Sequence, residues 1–136
     1  MIPNRSMPDA TVVPVLAYPD VNEAAEWLCA AFGFERRLLI GDHRVQLTFG
    51  DGAVVAAAGG PRSPAGLSVL VRVDDADRHH ERAVAAGATI VSPPTDYGYG
   101  ERQYTAEDPA GHRWTFSESI ADVDPAEWGG VLVGDG

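Results

Sequence analysis

Asp108-Pro109-Ala110-Gly111-His112-Arg113-Trp114-Thr115-Phe116 joins two strand-like runs through a tight turn, and this stretch decides the fold. Proline at the second turn position fixes φ, and glycine near the end of the turn tolerates positive φ. After the turn, Trp114 and Phe116 alternate with Thr115 and Ser117, which is the pattern of a half-buried strand. The stretch therefore predicts a hairpin whose second strand has one aromatic face and one face of short polar side chains.

The sequence repeats one order of elements, and the second copy ends with this hairpin. The first half predicts a strand at 11–18, a helix at 21–32 and strands at 34–40, 44–49 and 53–58. The second half predicts a strand at 67–73, a helix at 76–86 and strands at 88–91, 99–107 and 112–118. Asp20 and Asp74 precede the two helices and Gly33 and Gly87 follow them, with the same offset of 54 residues (20 to 74, 33 to 87). The equal offsets indicate an internal duplication.

The predicted fold class is α+β, with two βαβββ modules in a single domain. We expect module one at about 11–58, a linker rich in glycine and proline at 59–66, module two at about 67–118 and a C-terminal tail at 119–136. The modules are expected to form a curved, mainly antiparallel sheet cleft with the helices on the outer face. Trp114, Phe116, Val71 and Val73 would pack under the helices, and the opposite sheet faces would line a concave ligand site.

Composition excludes several classes of partner. The formal net charge is −10, from 20 acidic and 10 basic residues, which repels the phosphates of nucleic acids. The sequence contains no apolar run long enough to cross a bilayer, so we expect no membrane partner. Residues 1–9 lack the apolar core of a signal peptide, and the only cysteine, Cys29, suits a reducing compartment. These features together predict a cytoplasmic protein.

Ten side chains form the predicted ligand-binding site. Strand alternation turns seven of them towards the cleft, and the other three are aromatic side chains on a flexible loop at 96–100 and in the tail. The polar members are Gln46, Thr48, Ser68, Gln103, Thr105, Arg113 and Thr115, and the aromatic members are Tyr97, Tyr99 and Trp128. Aromatic faces stack on planar ligands and attract cations.

The remaining reactive groups give no clear catalytic pattern. His79 and His80 are adjacent on a helix and point to different sides, so they are predicted to be a solvent-facing and a packed side chain, respectively. Glu101 and Glu107 alternate onto the cleft face, where each is either a general base or a carboxylate at the rim.

Two parts of the sequence resemble the vicinal oxygen chelate superfamily. One is the strand-Asp-helix-Gly order at the start of each module, and the other is the final stretch Glu107-Asp108-Pro109-Ala110-Gly111-His112-Arg113-Trp114-Thr115-Phe116. That superfamily includes glyoxalase I, extradiol dioxygenases, fosfomycin-resistance transferases and the bleomycin-resistance binding proteins. The resemblance covers residues 12–118 and implies the paired-module fold. It also implies a homodimer with two equivalent clefts near the subunit boundary.

In the enzymatic members of that superfamily, four inward positions hold a divalent metal. The ligands there are His or Gln on the first strand, Glu on the fourth, His on the fifth and Glu on the eighth. The corresponding positions here are Val13, Ala56 (Ala57 or Ala58 if the register slips), Ser68 and Thr115. None of these is a usual ligand for a divalent cation, so the sequence predicts no metal and no other cofactor.

Two functions remain open from the sequence. The favoured one is a non-catalytic protein that sequesters a planar aromatic or cationic antibiotic-like compound for drug resistance or self-protection, similar to the bleomycin-resistance members. The alternative is a glyoxalase-like lyase or isomerase with an atypical or absent metal site, in which Glu101 or Glu107 is the base.

Overall fold

The structure, a computed structural model, describes residues 2–59 and 67–132. Most of the predicted linker at 59–66 and the end of the predicted tail lie outside the described residues. The element order is β1 (Val15–Tyr18), α1 (Val21–Phe32), β2 (Glu35–Ile40), β3 (Arg44–Phe49), β4 (Gly52–Ala58), β5 (Ser68–Arg72), α2 (Ala76–Ala85), β6 (Thr89–Tyr97), β7 (Glu101–Glu107), β8 (Arg113–Ser119) and a 3-10 helix (Pro125–Trp128).

The strands form two four-stranded sheets with the same topology. The strand order is β1-β4-β3-β2 in the first sheet and β5-β8-β7-β6 in the second. The pairs β1–β4 and β5–β8 are parallel, and the other neighbouring strands are antiparallel. The predicted α+β class, with two mainly antiparallel βαβββ modules, is confirmed.

Matching caps delimit the two helices. The Asp20 carboxylate accepts a hydrogen bond from the backbone N–H of Glu23, and the Asp75 carboxylate accepts one from Arg78, both at 3.0 Å. Such side-chain oxygens satisfy N–H groups that have no partner within the helix. Gly33 ends α1 in the left-handed region, with φ of 85°, which costs glycine no steric strain.

Strand β6 is longer than predicted. The strand was predicted at 88–91, but it runs through Pro93 and Pro94 and continues to Tyr97. In the described part of the chain, β6 pairs with β7 alone, and its register shifts between Ile90 and Thr95. An edge strand with irregular register tolerates proline because the missing N–H need not face a neighbouring strand.

Both modules contribute to one hydrophobic core. The ring of Phe32, at the end of α1, lies 5.6 Å from the ring of Trp114 and 4.8 Å from that of Phe116, centroid to centroid. Val71 and Val73 pack against the same core. The predicted packing of these four side chains under the helices is therefore confirmed.

The two helices are joined directly by side-chain hydrogen bonds. The indole N–H of Trp27 on α1 donates to the carbonyl oxygen of Ala86 at 3.2 Å. The guanidinium of Arg82 on α2 donates to the carbonyl oxygens of Ala30 and Cys29 at 3.0 and 3.1 Å. Because the apolar faces of both sheets pack on this helical layer, the polar face of each sheet points away from the shared core.

His79 faces the core, so the prediction that it is solvent-facing is wrong. Its Nε2 lies 2.8 Å from the carbonyl oxygen of Phe32, its Nδ1 is hydrogen-bonded to the hydroxyl of Tyr104, and its ring centroid is 4.1 Å from that of Phe116. The buried residues of α2 explain this orientation. Ala76 and Ala83 are buried. His79 follows Ala76 by three residues and precedes Ala83 by four, so it lies on the same helical face.

Candidate functional site

The polar face of the second sheet collects most of the predicted site. Thr105 and Thr115 are paired across β7 and β8, and their hydroxyl oxygens are hydrogen-bonded at 2.9 Å. The Gln103 amide nitrogen donates to Ser117 Oγ at 3.0 Å, and Ser117 Oγ donates to Glu101 Oε1 at 2.7 Å. These short polar groups therefore form two hydrogen-bonded sets side by side on β7 and β8, together called the polar ladder here.

Glu101 ends the ladder as a charged group. Hydrogen bonds from Ser119 and Ser117 and the nearby charge of Arg72 lower the pKa of its carboxyl, with partial burial acting in the opposite direction. The group is therefore ionised well below neutral pH. A carboxylate with a lowered pKa is a weak proton acceptor, which makes Glu101 a poor general base.

The other end of the ladder carries an ion pair. Arg113 Nε lies 3.2 Å from Glu107 Oε1, and both side chains are partly exposed. Ser68 lies opposite Arg113 across β5 and β8 and is exposed to solvent. Exposed pairs of this kind stabilise a fold by less than about 1 kcal/mol.

An exposed aromatic cluster, Tyr97, Tyr99 and Trp128, lies beside the ladder. The rings of Tyr97 and Tyr99 stack with centroids 5.4 Å apart and planes inclined by 7°. Trp128 meets Tyr99 edge to face at 5.8 Å. The Tyr99 hydroxyl donates to Gln103 Oε1 at 3.1 Å, which connects the aromatic cluster to the ladder.

Backbone contacts position the aromatic cluster. Tyr97 ends β6, and the N–H of Gly100 donates to its carbonyl oxygen at 3.0 Å, so the two tyrosines lie on a closed turn where a flexible loop was predicted. The N–H of Ile120 donates to the carbonyl oxygen of Gly100 at 2.8 Å. The tail therefore leaves β8 along this turn and brings Trp128 to Tyr99.

The predicted residues of the first sheet lie under the N-terminal segment, defined here as residues 2–10. Gln46 is on the polar face but only 4% exposed. Its amide oxygen accepts from Arg37 at 2.6 Å and its amide nitrogen donates to the carbonyl oxygen of Ser6 at 2.8 Å. Arg37 also donates to the carbonyl oxygen of Arg5 at 2.9 Å. Gln46 is therefore already fully engaged.

Thr48 occupies a more open position on the same face. It lines a cavity of about 590 Å³ between β3 and the N-terminal segment, together with Pro8 and Arg37. This cover was not predicted, because the N-terminal segment shows no helical or strand periodicity. Its apolar residues gave no usable signal, since Pro8 is buried but Ile2 and Met7 are exposed.

Four positions of the sheets correspond to those that hold a divalent metal in the enzymatic relatives. Ala56 points into the core, and Ala57, which pairs with Arg44 and Ala17, occupies the polar face. A one-residue difference in register changes the face of a strand, which explains why Ala56 was the wrong choice. Val13, Ala57, Ser68 and Thr115 supply no carboxylate, imidazole or thiolate, so these residues do not fit the metal.

Two findings concern the described residues as a whole. Residues 2–59 and 67–132 contain no group of three or more His, Cys, Asp or Glu side chains arranged to hold a metal ion. Neither α1 nor α2, the two helices described there, has the length and apolarity needed to span a bilayer.

Solved structures and curated sequences resemble this chain. The crystal structure of TioX from Micromonospora sp. ML1 is 37% identical, with a TM-score of 0.66, and the match covers 80% of this chain and 98% of TioX. The crystal structure of a glyoxalase/bleomycin resistance protein/dioxygenase family enzyme from Burkholderia phytofirmans PsJN has a TM-score of 0.69 and is 18% identical. The match covers 79% of this chain and 97% of that enzyme, and at this identity it shows the fold alone.

A curated relative matches a shorter part of the chain. An uncharacterized protein of Mycobacterium tuberculosis H37Rv is 35% identical over 69 residues, which is 49% of this chain and 41% of the relative. The family model of the Glyoxalase/Bleomycin resistance protein/Dioxygenase superfamily matches residues 10–116. This match spans both modules and the hairpin that contains Asp108. The chain belongs to the glyoxalase/bleomycin resistance protein/dioxygenase superfamily.

Proposed function

We propose that this protein is a non-catalytic binding protein that sequesters a planar aromatic or cationic antibiotic-like compound. The observation that carries the proposal is the exposed aromatic cluster beside a ladder of hydrogen-bonded polar groups. Such a protein, acting in the cytoplasm, would protect a producing or target cell by lowering the free concentration of the compound.

The aromatic cluster provides the binding surface. The rings of Tyr97 and Tyr99 stack on each other and remain partly exposed, and the exposed indole of Trp128 meets Tyr99 at an angle. Stacking on such faces favours flat ligands, and the negative face of each ring also favours cations. Large exposed aromatic side chains grouped in one place are typical of binding surfaces.

The polar ladder provides orientation. Gln103, Thr105, Thr115 and Arg113 present amide, hydroxyl and guanidinium groups along the second sheet. Ser68 extends this row across β5. On the first sheet, Thr48 is accessible beside its cavity, whereas Gln46 takes part only if the N-terminal segment moves.

The chemistry of the second sheet supports binding over turnover. The family metal positions carry no suitable donor, the Glu101 carboxyl has a lowered pKa, and Glu107 is paired with Arg113. A glyoxalase-like lyase or isomerase requires a base or a Lewis acid at the reacting carbon. The alternative function is therefore less well supported by these residues.

A homodimer would complete the site. Val15 on β1 and Leu70 on β5 are 56% and 57% exposed, and both lie on edge strands of the described sheets. Their exposed apolar surface suits contact with a second copy, which would place the first sheet of one chain over the second sheet of the other. We expect two equivalent clefts near the subunit boundary, as a two-fold axis requires. Light scattering of wild type and Leu70→Glu tests this, because the charged variant should be monomeric.

Thermal-shift and calorimetric titrations with planar aromatic compounds test the function. Wild type should gain melting temperature with at least one planar compound, because a ligand that binds the folded state stabilises it. Tyr97→Ala should lose most of that affinity. Leu39→Ala, an exposed apolar residue on β2, should keep it.

A parallel assay addresses the alternative. Turnover of a glyoxalase substrate that appears with zinc, nickel, manganese or iron and disappears on chelation would contradict the proposal. A complete absence of stabilisation by planar compounds would also contradict it.

A further inference from the structure

Glu101 and Tyr97 are cross-strand neighbours on one sheet face. The β6–β7 register places Tyr97 directly opposite Glu101, so their side chains leave the sheet on the same side. Residues paired in this way have Cβ atoms about 5 Å apart. A ligand that stacks on Tyr97 therefore lies within reach of a negative charge.

We propose that Glu101 is the residue that determines specificity, and that it makes the site select planar aromatic cations over neutral compounds of the same shape. This inference rests on the proposed function and narrows its ligand class. The cation would stack on Tyr97, and its positive charge would be compensated by the Glu101 carboxylate.

Glu101 has charge available for a ligand. The ion pairs in the described part of the chain join Arg102 to Asp77 and Asp96, and Arg113 to Glu107, so none of them includes Glu101. The hydrogen bond that Glu101 accepts from Ser117 comes from a neutral hydroxyl.

The charge of Arg72 acts on this carboxylate, but the two side chains form no direct ion pair. Arg72 donates its hydrogen bond to Ser119 Oγ at 3.1 Å, so its guanidinium is held at the hydroxyl. The lowered pKa of Glu101 keeps the carboxylate charged throughout the neutral and mildly acidic range.

Two attractions then act together on a cation and are both lost for a neutral isostere. The face of an aromatic ring attracts positive charge, and a carboxylate attracts it through Coulomb interaction in a partly screened environment. A neutral ligand keeps the stacking term but removes water from the carboxylate without compensation, which opposes binding.

Fluorescence titrations with N-methylacridinium and acridine provide a matched pair of probes. The two have nearly the same planar shape, and acridine is uncharged at slightly alkaline pH. Wild type should bind N-methylacridinium about fivefold or more tightly than acridine at low salt. High salt should reduce this ratio because it screens the carboxylate.

The variant Glu101→Gln should lose most of the preference for N-methylacridinium and keep only the part that comes from the ring face, with acridine affinity equal to or slightly above that of wild type. Glu107→Gln is the control, since Glu107 lies on the same strand and face but is already paired with Arg113, and it should keep the preference. Glu101→Lys, which reverses the charge, should favour acridine. Thermal melts of each variant check that the fold is retained.

The outcomes separate the inference from the proposed function. Equal binding of both probes to wild type, or an unchanged preference in Glu101→Gln and Glu101→Lys, would overturn the role of Glu101 and leave the binding function in place. Failure of wild type to bind any planar aromatic compound would overturn both.

Discussion

The hydroxyl of Tyr18 donates a hydrogen bond to Oδ2 of Asp108 over 2.6 Å, and the two residues belong to different modules. The indole N–H of Trp114 donates to the same oxygen at 3.1 Å. Burial, followed by the charge of Asp108 and this hydrogen bond, raises the pKa of the Tyr18 hydroxyl. The turn before β8 in the second module is thus hydrogen-bonded to β1 of the first module.

Replacing Tyr18 by Phe should lower the free energy of unfolding by about 1–2 kcal/mol, because a buried carboxylate loses one of its donors. Urea denaturation of the two proteins measures the difference. Tyr99→Phe is the control, since Tyr99 is exposed and its hydroxyl bonds to an exposed amide. An unchanged midpoint for Tyr18→Phe would show that this contact does not stabilise the association of the modules.

His79 should make the protein less stable in mild acid. Burial lowers the pKa of its imidazole from the ordinary 6.5, and a backbone hydrogen bond to Phe32 only partly offsets this. The neutral ring donates from Nε2 to Phe32 and accepts at Nδ1 from Tyr104, and Arg82 is the neighbouring charge. The unfolded chain therefore binds more protons than the folded one just below pH 6.5, so stability falls as pH decreases through that value.

Urea denaturation between about pH 8 and about pH 5 tests this titration. His79→Gln should be less stable at high pH, and its free energy of unfolding should change less with pH than that of wild type. His43→Gln, an exposed position, should follow the wild-type curve. A His79→Gln curve parallel to wild type would assign the pH dependence to other groups.

Gly100 should not tolerate a side chain. Its φ is 89°, and a Cβ there would lie 2.5 Å from the carbonyl oxygen of Ala121. Gly100→Ala should lower the free energy of unfolding by about 2 kcal/mol or more and displace the tail that carries Trp128. We expect weaker binding of N-methylacridinium by this variant, measured in the same titration.

Alanine substitutions at two other glycines distinguish the cost of backbone strain from the cost of a steric clash. Gly87 has φ of 88° and open space around it, so Gly87→Ala should cost only about 1 kcal/mol for backbone strain. Gly98→Ala, in open space without positive φ, should be close to neutral. Equal losses for Gly100→Ala and Gly87→Ala would show that the tail contact at Gly100 is unimportant.

Arg82 should stabilise the contact between the helices. Its guanidinium donates to the carbonyl oxygens of Ala30 and Cys29 near the C-terminal end of α1, where a positive charge is also favoured by the helix dipole. Arg82→Met keeps the aliphatic stem and should lower the free energy of unfolding by about 1 kcal/mol. Arg78→Met, on the exposed face of α2, should change it little.

The regular parts of the fold were readable because each has a local physical signal. The offset from Gly33 to Gly87 marked two equivalent helix ends, and both glycines have left-handed backbone. Alternation along β8 correctly separated Trp114 from Thr115. These features depend on a few neighbouring residues, so a single sequence contains them.

The errors came from features that depend on distant contacts. The inward face of His79 is determined by Phe32 and Tyr104, which come from other elements. The choice between Ala56 and Ala57 required the exact register of β4, which its pairing with β3 and β1 defines. The cover over Gln46 comes from a segment without periodicity, so no local pattern predicted it.

Ser6 and Arg5 accept hydrogen bonds from Gln46 and Arg37, so the N-terminal segment covers Gln46 on the polar face of the first sheet. Ser68 and Leu70 on the corresponding face of the second sheet are exposed. Removing residues 2–10 would uncover Gln46 and take the Arg5 carbonyl away from Arg37. The duplicated plan therefore presents two sheet faces of unequal accessibility.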